Sequence, residues 1–226
     1  MPRRALYEKR PLLLASVVAA AAYFYLRSAD VPEILAIAVK GAAVGLLAAY
    51  AFLRHSSPDA RLLGWAFAMC ALGDIAIEYS FQIGGLLFFL GHAFAIALYL
   101  RHRRERLTGT QKAAAAALLV LTPIIIYALP YDRQIAWSAG IYGLALGGMA
   151  ASAWASSFPR YRVGTGAALF VASDLLLFAA MGPLAQSDIP RLLVWPLYYL
   201  GQFLICVGVL RTLRKRDPEL KIVSSR

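Results

Sequence analysis

The chain has 226 residues, of which 61% are hydrophobic and 15% charged, and its formal net charge is +11. A soluble domain of this size has no interior large enough to hide so much apolar surface, which excludes an ordinary water-soluble globule. The basic excess does not indicate nucleic acid, because Lys and Arg fall in short runs beside apolar stretches, as in loops that flank membrane helices.

The first run, MPRRALYEKRP followed by apolar residues, resembles a signal peptide. Tyr23, Phe24 and Tyr25 after the alanine run suit an interfacial belt better than a cleavage site, so it reads as an uncleaved first helix. Apolar stretches of near-spanning length follow in order, at about 12–27, 32–53, 62–80, 84–100, 113–129, 135–155, 164–182 and 191–210. The breaks carry Pro, Gly, Ser and charge: SADVPE, RHSSPDAR, SFQIGG, RHRRERLTGTQK, PYDRQ, SSFPRYRVG and GPLAQSDIPR. The expectation is an all-α polytopic membrane protein with eight transmembrane helices and one domain, 1–226. Cys70 and Cys206 fall inside apolar segments, and their spacing suggests neither a metal knuckle nor a disulfide.

Eight spans put both termini on one side. With them lie Arg3, Arg4, Lys9, Arg10, Arg54, Arg61, Arg101, Arg103, Arg104, Arg106, Lys112, Arg160, Arg162 and six basic residues of the tail, 19 in all. The other side has Arg27, Arg133 and Arg191, and Lys40 is inside a span. That asymmetry predicts an integral membrane protein of the cytoplasmic membrane with both termini in the cytoplasm.

The halves, 1–106 and 107–226, resemble each other. Lys40-Gly41-x3-Gly45 matches Tyr142-Gly143-x3-Gly147 at an offset of 102. Gly73-Asp74 matches Ser173-Asp174 at an offset of 100, and FFLGHAFAIALYLR (88–101) matches YYLGQFLICVGVLR (198–211) at 110. Four helices per half implies two parallel repeats around a central cavity, related by an axis along the membrane normal. The GxxxG pairs alone indicate close helix packing.

A charge in mid-bilayer costs about 2.5–3.5 kcal/mol on insertion scales, so such residues tend to face inward and to have a function. The spans hold Lys40, Asp74, Glu78, His92 and Asp174, with Tyr142, Ser173, Tyr198, Tyr199 and Gln202 at comparable depths. Asp74 and Asp174 lie about 20 Å and about 18 Å along their helices from the nearest basic edge. Two carboxylates at equivalent repeat positions in apolar helices are the candidate catalytic pair. Lys40 reads equally as a counter-ion to an aspartate or as a substrate contact. Glu78, one turn beyond Asp74, is close to the interface and to water. His92 reads as a site residue or a helix-packing hydrogen bonder, and one of Tyr198 and Tyr199 is expected to line a cavity. The pair fits acid–base chemistry. A hydrolytic zinc usually needs three protein ligands, and His92 is the only histidine within a span, so no metal and no cofactor are expected. GxSxG and phosphate-cradling motifs are absent from the sequence.

The runs 72–100 and 166–210 resemble the YhhN-like lysoplasmalogenase family, through Gly-Asp, Phe-x2-Gly-His, Ser-Asp and Tyr-Tyr-x2-Gln in that order. The chain departs from the family's frequent residues at Gly41 (often Pro) and Ala95 (often Tyr). The resemblance implies hydrolysis of the vinyl ether bond of a lysophospholipid to a fatty aldehyde and a glycerophospho head group. One aspartic acid would protonate the alkene carbon, the other would stabilise the oxocarbenium ion and orient water, and Lys40 or His92 would hold glycerol or phosphate oxygens. Two alternatives fit the residues as well. One is a small transporter or lipid-translocating protein using the aspartates as a proton relay, and the other is a membrane hydrolase acting on a different lipid.

Overall fold

The computed structural model describes residues 10–216. The basic residues Arg3, Arg4, Lys9, Lys221 and Arg226 of the charge count lie outside the described residues. The chain forms α1 (Arg10–Leu26), α2 (Glu33–Arg54), α3 (Pro58–Ala76), α4 (Phe81–Arg101), α5 (Gly109–Ala128) and α6 (Arg133–Ala155). A single π-helical turn, Arg160–Gly164, then leads into α7 (Thr165–Ala179), and α8 (Asp188–Arg216) closes the chain. The fold is all-α, as the apolar runs predicted.

Several helices begin three or four residues before the apolar run that signals them, because polar caps satisfy the orphan N–H groups of the first turn. Ser57 accepts from Ala60 N with Pro58 in the first turn, and Ser80 accepts from Ile83 N. Thr108 and Gln111 form a reciprocal capping box, and Asp132 accepts from Gln134 N at 2.8 Å. At its other end α8 carries Arg211 and Arg214–Arg216 in continuous helix beyond the apolar run.

Among the described residues, six stretches are long and apolar enough to cross a membrane: α2, α4, α5, α6, Arg160–Ala179 and α8. The chain is accordingly an integral membrane protein. Helix α1 has 17 residues, and α3 carries Asp59, Arg61 and Asp74. Leu119, Val120, Leu121, Ile124 and Ile125 of α5, with Leu14, Val17 and Val18 of α1, face outward as lipid would require.

Sequential helices pack on each other as α1–α2–α3–α4 and as α5–α6–α7–α8, and the two sets meet where α4 lies on α6 and α2 on α8. The α3–α4 and α7–α8 crossings share a register. A Cβ at Gly91 would meet Ala66 O at 3.0 Å, and a Cβ at Gly201 would meet Gly166 O at 2.6 Å. Likewise Gly73 faces Gly84 O, and Ser173 Oγ donates to Val194 O at 2.8 Å. The GxxxG match is different. Gly41 and Gly45 of α2 face Ile75 and Ala71 of α3, whereas Gly143 and Gly147 of α6 face Pro123 and Leu118 of α5. Small residues match easily between apolar helices whichever neighbour they meet.

Helix α1 is fixed by polar anchors. Ser16 Oγ donates to Ala43 O at 2.6 Å and lies 2.7 Å from Tyr199 Oη, while Trp195 Nε1 donates to Ala20 O at 2.9 Å. Buried polar groups of this kind must find partners, and these three tie α1 to α2 and α8.

Candidate functional site

Asp74 occupies the inward stripe of α3 with Leu63, Phe67 and Cys70, and is 3% exposed. Asp174 lies on the inward stripe of α7 with Ala167, Phe170, Val171 and Phe178, and is 5% exposed. Each carboxylate accepts from a tyrosine of another helix. Tyr198 Oη of α8 donates to Asp74 Oδ2 at 2.7 Å, and Tyr142 Oη of α6 donates to Asp174 Oδ2 at 2.5 Å. A buried carboxylate with a hydroxyl partner avoids most of the cost of an unpaired polar group.

Behind Tyr142 stands His92 of α4, 1% exposed, with Nε2 at 3.0 Å from the phenol oxygen. Because that hydroxyl spends its proton on Asp174, its oxygen accepts, and His92 carries its hydrogen on Nε2. The order is His92 to Tyr142 to Asp174, bridging α4, α6 and α7. Phe170 fills the space between the arms, 5.0 Å from the His92 ring and 5.0 Å from Tyr198.

Both aspartates open onto one cavity of about 600 Å³. It lies in the half of the bundle that ends in the loops 27–32, 77–80 and 180–187. Its wall has two characters. Tyr23, Arg27, Lys40, Arg191 and Trp195 line one side, from α1, α2 and α8 and the residue that follows α1. Apolar groups of α4, α6 and α7 line the other, among them Leu86, Phe89, Ile141 and Leu177. Leu86 is 59% exposed and Ile141 61% exposed, so the apolar side also reaches the lipid-facing surface between α4 and α6. Gly85 lines the same gap, and a Cβ there would meet nothing within 4 Å.

The candidate residues divide by position. Lys40, Asp74, Tyr142, Ser173, Asp174 and Tyr198 line the cavity. Ser173 is turned toward α8 through its bond to Val194 O. His92 and Gln202 are buried beneath the wall rather than in it. Tyr199 is outside the cavity, bound to Ser16 and stacked on Trp195 at 6.2 Å. Glu78 sits in the turn that follows the end of α3 at Ala76, where it pairs with Lys40 Nζ. Lys40 adjoins Gly41, which packs on Ile75 beside Asp74.

Sequence reasoning missed Tyr23, Arg27, Trp195 and Arg191 as cavity residues. The signal was present for the arginines, since they are two of the three basic residues that the eight-span reading sets apart from the rest. Read only as topology markers, they were assigned no chemistry. Among the described residues, no three His, Cys, Asp or Glu side chains are grouped to hold a metal ion.

No curated protein and no solved structure matches the chain. The model of the YhhN family matches residues 35–209, a stretch that runs from α2 into α8 and includes both aspartates and both tyrosine partners. The chain belongs to the YhhN family.

Proposed function

We propose that this protein is a membrane hydrolase that cleaves the vinyl ether bond of lysoplasmalogens. The observation that carries the reading is the pair of buried, tyrosine-bound carboxylates opening onto one cavity with a cationic side and an apolar side. Membership of the YhhN family is consistent with it. A single-chain phospholipid has the same division, with a charged head, a reactive ether and an apolar tail.

Asp174 is the acid. Asp74 is the anion in this reading, because Lys40 adjoins Gly41, which packs on Ile75 beside Asp74. The Asp174 proton passes to the β-carbon of the alkenyl ether, leaving an oxocarbenium ion at the α-carbon. The Asp74 carboxylate stabilises that cation. Water adds to the α-carbon and returns a proton to Asp174, and the hemiacetal collapses to the fatty aldehyde and the free glycerol hydroxyl. His92 and Tyr142 hold Asp174 in orientation.

The alkenyl chain leaves the cavity between α4 and α6, past Gly85, Leu86 and Ile141. Gly85→Leu would fill that gap, and overpacking of about 1–3 kcal/mol corresponds to roughly tenfold or more in binding. KM for a long-chain substrate rises by that factor while a short-chain substrate is unaffected. Equal KM values for both chains in the variant would remove the tail from this gap.

The eight helices are read as eight spans in two parallel repeats, supported by the common register of the α3–α4 and α7–α8 crossings. The short α1 and the charged α3 cross within the bundle. With both termini cytoplasmic, the cavity opens on the outer side. The test uses lysoplasmalogen with aldehyde detection. Purified protein in detergent releases aldehyde, and right-side-out vesicles release it faster from added substrate than inverted vesicles do. Absence of aldehyde in detergent would overturn the activity and favour a transporter, and faster release by inverted vesicles would overturn the orientation.

A further inference from the structure

Arg27 and Arg191 both line the polar end of the cavity, and among the described residues neither has an acidic partner. Arg27 follows the last turn of α1. Its Nε donates to Phe24 O at 3.1 Å, and its guanidinium lies 4.1 Å from the Phe24 ring centroid. Arg191, in the first turn of α8, donates from Nη2 to Ser28 Oγ at 3.3 Å. Each contact fixes a guanidinium and leaves most of its N–H groups unused, since the fork carries five. The two charges are close enough to act on each other. Burial first, and then Arg191, push the Arg27 pKa below its ordinary value.

Asp30, Glu33 and Asp188 are near in sequence. Among the described residues, none forms an ion pair with either arginine. The third cation of this wall, Lys40, is already paired with Glu78. Two held guanidiniums that line one cavity and act on each other repel, and a bound anion removes that repulsion while accepting paired hydrogen bonds from both. Arg191 is seven residues before Tyr198 on α8, so about 10 Å of helix rise separates the arginine from the tyrosine that holds Asp74. A ligand anchored at the arginines by its anion can therefore extend a short backbone down to the carboxylates.

We propose that Arg27 and Arg191 form a subsite for the phosphodiester group of a lysophospholipid. This subsite rests on the lipid-hydrolase reading and names the part of the substrate that the aspartates leave unrecognised. It assigns to the arginines the phosphate contact that the sequence suggested for Lys40 or His92. Lys40 is left as the cation that faces Asp74, and His92 as the group behind Tyr142.

The experiment measures binding to the full chain in detergent, with 1-acyl lysophosphatidylcholine as the phosphate-bearing probe and a monoacylglycerol of the same chain as the neutral one. Both carry an ester in place of the vinyl ether, so neither depends on the proposed chemistry. Wild type binds the lysophospholipid more tightly than the neutral lipid. Arg27→Gln and Arg191→Gln each lower lysophospholipid affinity about tenfold, and the double variant lowers it on the order of 10²-fold, erasing the preference. The Arg27→Lys/Arg191→Lys variant recovers part of it, because charge is kept and only the planar fork is lost. Monoacylglycerol affinity stays constant throughout, which also reports that the fold is intact.

A double Gln variant that keeps the wild-type preference would overturn the subsite, while aldehyde release from lysoplasmalogen would still support the hydrolase. The converse is also distinguishable. Loss of the preference in the double Gln variant, with no aldehyde released by wild type, would uphold the subsite and remove the vinyl ether chemistry. Inorganic phosphate and glycerophosphocholine are the soluble competitors. Tight binding of inorganic phosphate, with no preference between the two lipids, would assign the arginines to free phosphate and overturn a lipid head-group site.

Discussion

Asp174→Asn lowers lysoplasmalogen turnover by about 10²–10⁴-fold, the contribution expected of a general acid. The amide keeps the shape of the side chain and an oxygen that still accepts from Tyr142, now at 2.5 Å in the native site. It cannot release a proton to carbon. Asp74→Asn falls in the same range for a different reason, since a neutral amide no longer balances the positive charge that forms on the ether. Affinity for a saturated ether analogue, which cannot be protonated, should change little in either variant because head and tail contacts are untouched. Folding should also survive, as a neutral amide is cheaper to bury than an anion. Turnover within a few-fold of wild type in both well-folded Asn variants would end the catalytic assignment and return the pair to a relay or a structural role.

The membrane class and the carboxylate pair were legible because both rest on simple costs. Long apolar runs require lipid, and a carboxylate within such a run requires a reason. Helix starts were less legible, since Ser57, Ser80, Thr108 and Asp132 cap helices from outside the apolar pattern. Tyr142 and Tyr198 could be named as polar groups at the right depth. Which carboxylate each would hold depends on contacts between helices 32 and 124 residues apart, and single-helix periodicity carries no such information. Glu78 shows the reverse failure. Its place near the interface pointed to hydration, but the turn after Ala76 brings it to Lys40. Tyr198 and Tyr199 are adjacent, yet only the first reaches the cavity, because neighbours on a helix do not share a face. Arg27 and Arg191 are 164 positions apart in the sequence and meet only because α1 docks on α8 through Trp195 and Ser16.

The same dependence on helix crossings predicts a large effect far from any charge. Gly201 of α8 and Gly166 of α7 pack backbone against backbone. A Cβ at Gly201 would sit 2.6 Å from Gly166 O and 3.2 Å from Phe170 N. Those atoms are backbone, so the clash is relieved only by parting the helices. Gly→Ala in a helix interior gains roughly 1 kcal/mol of propensity, and overpacking costs about 1–3 kcal/mol, so Gly201→Ala is expected to be mildly destabilising and Gly201→Leu clearly so. The functional loss should exceed the loss of stability. Tyr198 is one turn from Gly201 and holds Asp74 at 2.7 Å, while Val194 O holds Ser173 beside Asp174. A shift of about 1 Å at a reacting centre can cost 10²-fold, and Gly201→Leu is expected to lose about that factor in turnover in whatever fraction remains folded. Gly109→Ala is the control, since its Cβ meets open space away from the cavity, and it should leave both thermal unfolding and turnover near wild type. If Gly201→Leu unfolds at the wild-type temperature with full turnover, α7 and α8 do not cross at these glycines in the working protein.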